Sequence, residues 1–425
     1  MSPLVPEVTF EKVVPDGNGL GRFDGKALFV PGVLPGETAR VSVSGRKKTW
    51  ARGQIIEVTQ PSKHRHKASE AHFMSCSPWQ GVEYDYQAQL KRSMLAELYS
   101  RPELTREVAR FEQAPAASGY RNKLEFSVRT DEYGELSLCF HARGSYTELI
   151  DTPAGCVLGS EAMNDAALGV LDVLRRLDVA DYAETLTVRQ SVHTGGVIAV
   201  MQVKRAIKRD WPLLGSLGLQ GVAVVRPNGD RTTTMLWSTG SMVLRERLGG
   251  LELDYPWDSF FQVNVAMFEK TLADVMAAVP AGGRVIDLYG GAGTIGLALA
   301  AQSSQVVGVE ISTASVELAA ANARTNAISN YRSVASAAER MDPELLTGAD
   351  TVVLDPPRAG LHPRVIDYLL QAMPTRIVYV SCNPVTQVRD CLLLQAAGYE
   401  VGEPTGYDFY PGTFHLESLV VLARS

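Results

Sequence analysis

Four short runs in this 425-residue chain hold residue types that could do chemistry. Cys382 stands in Ser381-Cys382-Asn383-Pro384, directly behind the apolar run RIVYV. A cysteine at the C-terminal end of a strand, beside a ligand crevice, is a candidate nucleophile. Asp355 opens Asp355-Pro356-Pro357-Arg358. The two prolines fix φ and offer no backbone N–H, so the chain after the carboxylate is rigid. From Val285 to Gly296 the chain reads as a strand, a glycine turn and a helix start, and Gly291, Gly293 and Gly296 satisfy G-x-G-x-x-G. Asp287, next to the place where a pyrophosphate would sit, repels phosphates and suits a ligand bearing an ammonium or sulfonium charge. Glu310, twenty residues past Gly290, is placed to accept from both hydroxyls of a ribose. Together these favour S-adenosylmethionine over a nicotinamide dinucleotide. Glu417, at the head of the last apolar run SLVVLA, gains interest as a partner for Cys382.

The elements that must position these groups follow from the apolar pattern. From about residue 265 onward short apolar runs alternate with helical stretches, which implies a parallel sheet covered on both faces, with ligands at the strands' C-terminal edge. Residues 119–250 read as an α+β section of strands with one helical stretch near 163–177. Leu90, Met94, Leu95 and Leu98 give residues 84–112 helical spacing. Residues 1–60 read as short strands cut by glycine turns, the pattern of a small β-barrel. The run 61–67 reads as a solvated basic exit linker, since His64 and His66 have no further ligand at metal spacing. The expected division is 1–62, 63–255 and 256–425.

Apolar residues make up 45% and charged residues 21% of the chain, the balance of a folded globular protein. No run is long and apolar enough to suggest a membrane span. The opening residues lack the basic and apolar regions of a signal peptide. Five cysteines argue against a disulfide framework and for a cytoplasmic protein. Net charge is −6, yet Thr38–Ser69 holds eight basic residues and the single acid Glu57. That asymmetry marks an N-terminal module suited to a polyanion, with Arg46, Lys47, Lys48 and Arg52 as candidate phosphate contacts.

Taken together, KALFVPGVLPGE, PSKHR, Gly119-Tyr120-Arg121-Asn122-Lys123, SFFQVN, DLYGGAGTIG, GVEIS, DPPRAGLH, YVSCNP and HLES resemble, in order, the RNA uracil-5 methyltransferases that form 5-methyluridine. The resemblance covers nearly the whole chain. It implies an α/β multidomain fold: an OB-like TRAM barrel, a central α+β domain and a C-terminal Rossmann-like class I methyltransferase domain. It makes Cys382 the nucleophile and Glu417 the base. Gln262, Tyr289, Glu310 and Asp355 become contacts of S-adenosylmethionine, alongside Asp287, Gly291 and Thr294, and Arg121 and Lys123 become candidate RNA contacts. Arg358 stands where amine methyltransferases often place an aromatic residue, which counts against amine methylation. Gly290, Thr294 and Gly412 stand where the family often has cysteine, asparagine and histidine.

Many relatives bind a four-iron cluster through four cysteines. Here only Cys76 and Cys156 match, with Glu70 and Trp79 standing where the others belong, so no iron–sulfur cluster and no metal is expected. Uracil carbon 5 is a poor nucleophile until a thiolate adds at carbon 6, and a base must then remove the carbon-5 proton. The target base must also leave its stack. By analogy the TRAM-like domain favours 23S ribosomal RNA as substrate, with the T-loop uridine of tRNA as the alternative and a monomer as the expected state. A nicotinamide-dependent oxidoreductase would leave Cys382, Glu417 and the barrel unexplained. A non-catalytic RNA-binding protein would need neither residue.

Overall fold

A computed structural model describes residues 5–229 and 232–424. At the N-terminal end, strands Glu7–Val13, Asn18–Phe23, Lys26–Pro31, Thr38–Ser44 and Trp50–Gln60 close into a barrel. Alternation puts Val8, Phe10, Leu28, Val30, Ala39, Val41 and Ala51 inside. The basic segment that follows is tied down. Arg65 donates to both carboxylate oxygens of the fully buried Glu37 (2.6 and 2.7 Å). His64 stacks on Tyr86 with ring centroids 4.0 Å apart. The linker expected to be solvated therefore fixes the barrel to the next helix.

The C-terminal sheet orders its strands Tyr331–Ala335, Gln305–Glu310, Arg284–Leu288, Thr351–Leu354, Arg376–Ser381, Glu417–Ala423, Thr405–Tyr407 and Arg110–Glu112. The first five run parallel, and Glu417–Ala423 is antiparallel to Arg376–Ser381. The chain reverses its direction of progress between Arg284–Leu288 and Thr351–Leu354, so the crevice of this doubly wound sheet opens above those two strands. Buried valines, isoleucines and leucines fill both faces, as a parallel sheet under two helix layers requires.

A second, seven-stranded sheet lies between barrel and C-terminal sheet in the sequence. One face packs on helix Glu161–Arg176, whose Ser160 cap accepts from Met163 N–H. The other face, through Ile198, Val200, Ala223 and Val225, joins the core of the C-terminal domain.

The segment expected as one central unit is divided between layers. Helix Tyr84–Tyr99 buries Leu90, Met94, Leu95 and Leu98 against Val388 and Leu394 of the C-terminal domain, and strand Arg110–Glu112 extends that domain's sheet. The helical spacing read over 84–112 ends at Tyr99. Strands Val243–Leu248 and Leu251–Pro256 form a separate hairpin rather than part of the central sheet. Side chains of Asn322 and Asn326, at the end of helix Thr313–Thr325, accept from its Asp254 and Glu252 N–H groups (2.9 Å each). No described helix is long and apolar enough to cross a membrane.

Candidate active site

Above the crevice lies a cavity of about 640 Å³. Gln262, Tyr289, Gly291, Thr294, Glu310, Asp355, Cys382 and Glu417 all line it, although they come from six separate stretches of chain. Parallel strands achieve this because their C-terminal ends share one edge. Glu310, ending its strand, accepts from Gly291 N–H (3.1 Å) and Ser312 N–H (2.8 Å), which fixes its carboxylate at the cavity wall. Tyr289 takes φ 65°, a left-handed conformation that costs a non-glycine residue about 1–3 kcal/mol and here bends the chain sharply off the strand. The exposed side chains of Phe260 and Ile311 (74% and 71%) stand at the cavity mouth, an apolar pair that sequence reasoning did not single out.

Asp287 lies outside this cavity. It is fully buried beneath the glycine turn, where Oδ2 accepts from Gly296 N–H (3.0 Å) and Oδ1 has no partner. A side chain at 296 would meet the Tyr331 ring at 2.8 Å and Asp287 Oδ2 at 2.9 Å, so the third glycine of the fingerprint makes room for both. Asp287 thus shapes the turn instead of lining the cavity as a ligand contact. Burial and the neighbouring Asp355 push its carboxyl up to about 7.

The cavity is overloaded with acid. Burial alone pushes Asp355 up to about 7. Burial and then Asp355 push Glu417, 5% exposed, well above the ordinary carboxylate range. The Cys382 thiol is pushed up to about 12 by burial, Glu417 and Asp355, with Arg358 pulling the other way. Such crowding disfavours every anion at once and is relieved by a bound cation. Tyr410 O–H lies 3.4 Å from Glu417 Oε1 and also lines the cavity. Arg358 donates to His415 Nδ1 (2.8 Å), and burial followed by Arg358 lowers His415 to about 4, so its ring is neutral. Arg358 and Tyr410 stand in the quoted sequence runs, but nothing local in those runs assigns them this place.

Cys382 faces two ways. A narrow pocket joins it to Pro15 of the barrel, Met94 and Phe414, and opens to a larger groove of about 970 Å³. That groove runs between the barrel turn Val14–Asp16, Glu97 of helix Tyr84–Tyr99, Arg101 just past its end, and Asn383.

The expected RNA contacts are not gathered there. Arg46, Lys47, Lys48 and Arg52 are exposed on and beside the barrel turn at residues 45–49, with Arg46 over the Phe23 ring and Arg52 over the Trp50 ring. Lys123 pairs with Glu125 at 3.2 Å. Arg121 is largely buried over the Tyr120 ring, with Nε unpartnered. Cys76 and Cys156 do lie together, but the neighbour that joins Glu70 beside them is His72. Trp79 is buried elsewhere, under Lys91, and its N–H donates to Gly412 C=O (2.8 Å).

A doubly wound parallel sheet with carboxylates at its switch point and an antiparallel last strand defines a methyltransferase-type domain. Residues 247–425 match the family described as tRNA (Uracil-5-)-methyltransferase, and residues 5–56 match the TRAM domain. An "Uncharacterized RNA methyltransferase" of Oceanobacillus iheyensis is 30% identical over 98% of this chain and 95% of its own. One from Enterococcus faecalis is 29% identical over 99% and 97%. The crystal structure of Pyrococcus abyssi tRNA (uracil-54, C5)-methyltransferase, in complex with S-adenosyl-L-homocysteine, shares the fold with a TM-score of 0.79. It is 24% identical and is matched over 99% of this chain and all of that one. The chain belongs to the tRNA (uracil-5-)-methyltransferase family of RNA methyltransferases and carries a TRAM domain.

Proposed function

We propose that the protein methylates carbon 5 of a uracil in RNA, with Cys382 as nucleophile and Glu417 as base. The observation that carries this reading is that both side chains line the cavity of the glycine turn, while Cys382 also lines the narrow pocket that separates it from the groove beside the barrel. The cavity's acid load, its apolar mouth and Glu310 suit S-adenosylmethionine, which is cationic at sulfur and nitrogen and carries a ribose; bound there it supplies an electrophilic methyl group. Gln262, Tyr289, Gly291, Thr294, Glu310 and Asp355 hold it, and Asp287 supports the turn from below.

On this reading the Cys382 thiol gives its proton to solvent and adds as thiolate to carbon 6 of a flipped uracil, and the ring's electron pair moves to carbon 5 and its enolate oxygen. The burial that suppresses the thiolate in the free protein keeps the cysteine protonated until a cation and the base are both in place. After carbon 5 has gained its methyl, Glu417 takes the proton from that carbon and the thiolate leaves carbon 6. The exposed basic residues at 46–48 and 52 hold backbone phosphates, and Lys123 begins strand Lys123–Thr130 of the central sheet.

The barrel favours 23S ribosomal RNA by analogy. A second reading, tRNA, is supported by the Pyrococcus abyssi protein, which shares the whole-chain architecture and is described as acting on uracil 54 of tRNA. Labelled methyl transfer from S-adenosylmethionine to unmodified 23S and transfer RNA separates the two. Cys382→Ala is expected to abolish both methylation and the protein–RNA adduct, and Glu417→Gln to leave a long-lived adduct. A folded Glu417→Gln enzyme that turns over normally without adduct removes Glu417 from the role.

A further inference from the structure

The resemblance to relatives with a four-cysteine iron cluster leads to a region where only two thiols are present, and two thiolates do not hold a cube of four irons in the usual way. The side chains around them nevertheless form a set of their own. Glu70, His72, Cys76 and Cys156 each offer one donor atom, and these four atoms all lie within 4.8 Å of one another. The edges of a tetrahedron of zinc ligands are roughly 3.3–3.8 Å, given bonds of about 2.0–2.3 Å, so a contraction of about 1 Å would complete it.

The set is oriented as ligands are. Glu70 Oε2 accepts from Gln80 Nε2 (2.7 Å) and Oε1 from Val157 N–H (2.6 Å), which holds the carboxylate in place and leaves each oxygen a further lone pair. Asn164 clamps the backbone of Cys156, accepting from its N–H (2.9 Å) and donating to its C=O (3.0 Å). His72 is 3% exposed, and its Nε2 has no hydrogen-bond partner, standing 3.4 Å from Glu70 Oε2. A buried imidazole nitrogen without a partner, facing a carboxylate and two thiols, is an unmet coordination demand.

We propose that these four residues bind one zinc-type divalent ion in a closed, structural S₂NO site. Two thiolates, an imidazole and a carboxylate match a borderline-soft ion of tetrahedral preference, and four protein ligands leave no open position for catalysis. Binding releases both thiol protons to solvent and involves no change of oxidation state. The ion staples the segment that follows the barrel to the loop ahead of helix Glu161–Arg176. Their neighbours Ser77 and Leu158 flank Gly412: a Cβ there would lie 3.0 Å from Ser77 and 4.0 Å from Leu158. The site therefore buttresses the loop that leads to Glu417, and the proposal stands whether or not uracil is the substrate.

The test is metal analysis of the full-length protein, purified without metal-affinity steps, followed by cobalt titration of the chelator-stripped, reduced protein. One zinc per chain is expected, without acid-labile sulfide. Cobalt should give tetrahedral d–d bands and a thiolate charge-transfer band. Cys76→Ser and Cys156→Ser should each lose the charge-transfer intensity in part and bind at least 100-fold more weakly, on the scale that places even outer-shell changes at ~10–100-fold. If the serine variants fail to fold, Gln80→Ala, which touches no donor of the set except Glu70, should weaken binding by ~10–100-fold. Iron with labile sulfide, a Cys76–Cys156 disulfide that reduction does not convert to a metal-binding form, or cobalt spectra free of thiolate bands would each overturn the proposal.

Discussion

If S-adenosylmethionine binds in the cavity as proposed, the Asp355 carboxyl that lines it makes cofactor affinity a proton-linked quantity. Burial pushes it up to about 7 in the free protein, so half of the molecules carry a proton there near neutrality. An ammonium or sulfonium group set against it favours the carboxylate, and binding below that pKa must release the proton first. Above about 7 the group is already ionised and this contribution is flat; below it, each pH unit costs about tenfold in affinity. Between about pH 8 and about pH 5.5 the dissociation constant for S-adenosylmethionine should therefore rise ~30-fold, equivalent to ~2 kcal/mol. Glu417, likewise pushed up by burial and then by Asp355, adds to the slope if the ligand's charge reaches it. Calorimetry in two buffers of different ionisation enthalpy counts the protons directly, and roughly half a proton per binding event is expected at about pH 7. Comparing S-adenosylmethionine with S-adenosylhomocysteine, which keeps the ammonium and lacks the sulfonium, tells which cation Asp355 meets. Asp355→Asn should weaken binding and abolish the dependence below neutrality. A wild-type affinity that is level from about pH 5.5 to 8, or an Asp355→Asn protein that keeps the slope, refutes the reasoning.

Three further outcomes follow from the same geometry. Replacing Arg46, Lys47, Lys48 and Arg52 together by Gln should flatten the salt dependence of RNA binding by ~3 in log–log slope, with turnover at saturating RNA unchanged; filter binding across a salt series measures it. Lys91 and Asp408 form a fully buried ion pair, and Lys91 also donates to Tyr410 C=O (3.0 Å), so Lys91→Met should cost about 3–5 kcal/mol in denaturant unfolding by stranding the carboxylate. Gly17 holds φ +78° with its missing Cβ 2.1 Å from the Phe414 ring, so Gly17→Ala should displace that ring; a lowered kcat is expected alongside a modest loss of Tm.

What could be read from the chain is local, and what could not is long-range. Glu310 and Asp355 each follow a run of three or four apolar residues, Cys382 follows one of four with Ser381 between, and in a parallel sheet every such run ends on the same edge. Their convergence is implied by pattern alone. The burial of Asp287 is not, because a strand covered on both faces shows no alternation to say which way a side chain points. Arg121 reads as a basic guide for RNA until the fold closes Tyr120 and its neighbours over it. His72 and Cys76 are four residues apart, but Cys156 joins them only through the fold, and Trp79 competes for the vacant place in any reading by position. The helix Tyr84–Tyr99 shows its apolar stripe plainly; that the stripe covers the C-terminal sheet depends on contacts some three hundred residues away.

These distant contacts converge on the stretch 408–417. Lys91 holds Asp408, Tyr120 O–H donates to Pro411 C=O (3.1 Å), and Gln87 accepts from Gly412 N–H (2.8 Å). Trp79 N–H reaches Gly412 C=O, and the barrel packs Gly17 onto Phe414. Gly17 of the barrel turn, Trp79, helix Tyr84–Tyr99 and Tyr120 thus each touch the loop that leads to Glu417, while Cys382 follows a strand of the C-terminal sheet and meets the barrel only across the narrow pocket it shares with Pro15. On the proposed mechanism, a base on this loop senses the placement of those units more directly than the nucleophile does. On that mechanism the accessory units are expected to act on resolution of the adduct, the step proposed for Glu417, more than on thiolate attack. Damage to the barrel or to the Cys76–Cys156 region should accordingly lengthen the life of a protein–RNA adduct before it prevents one from forming.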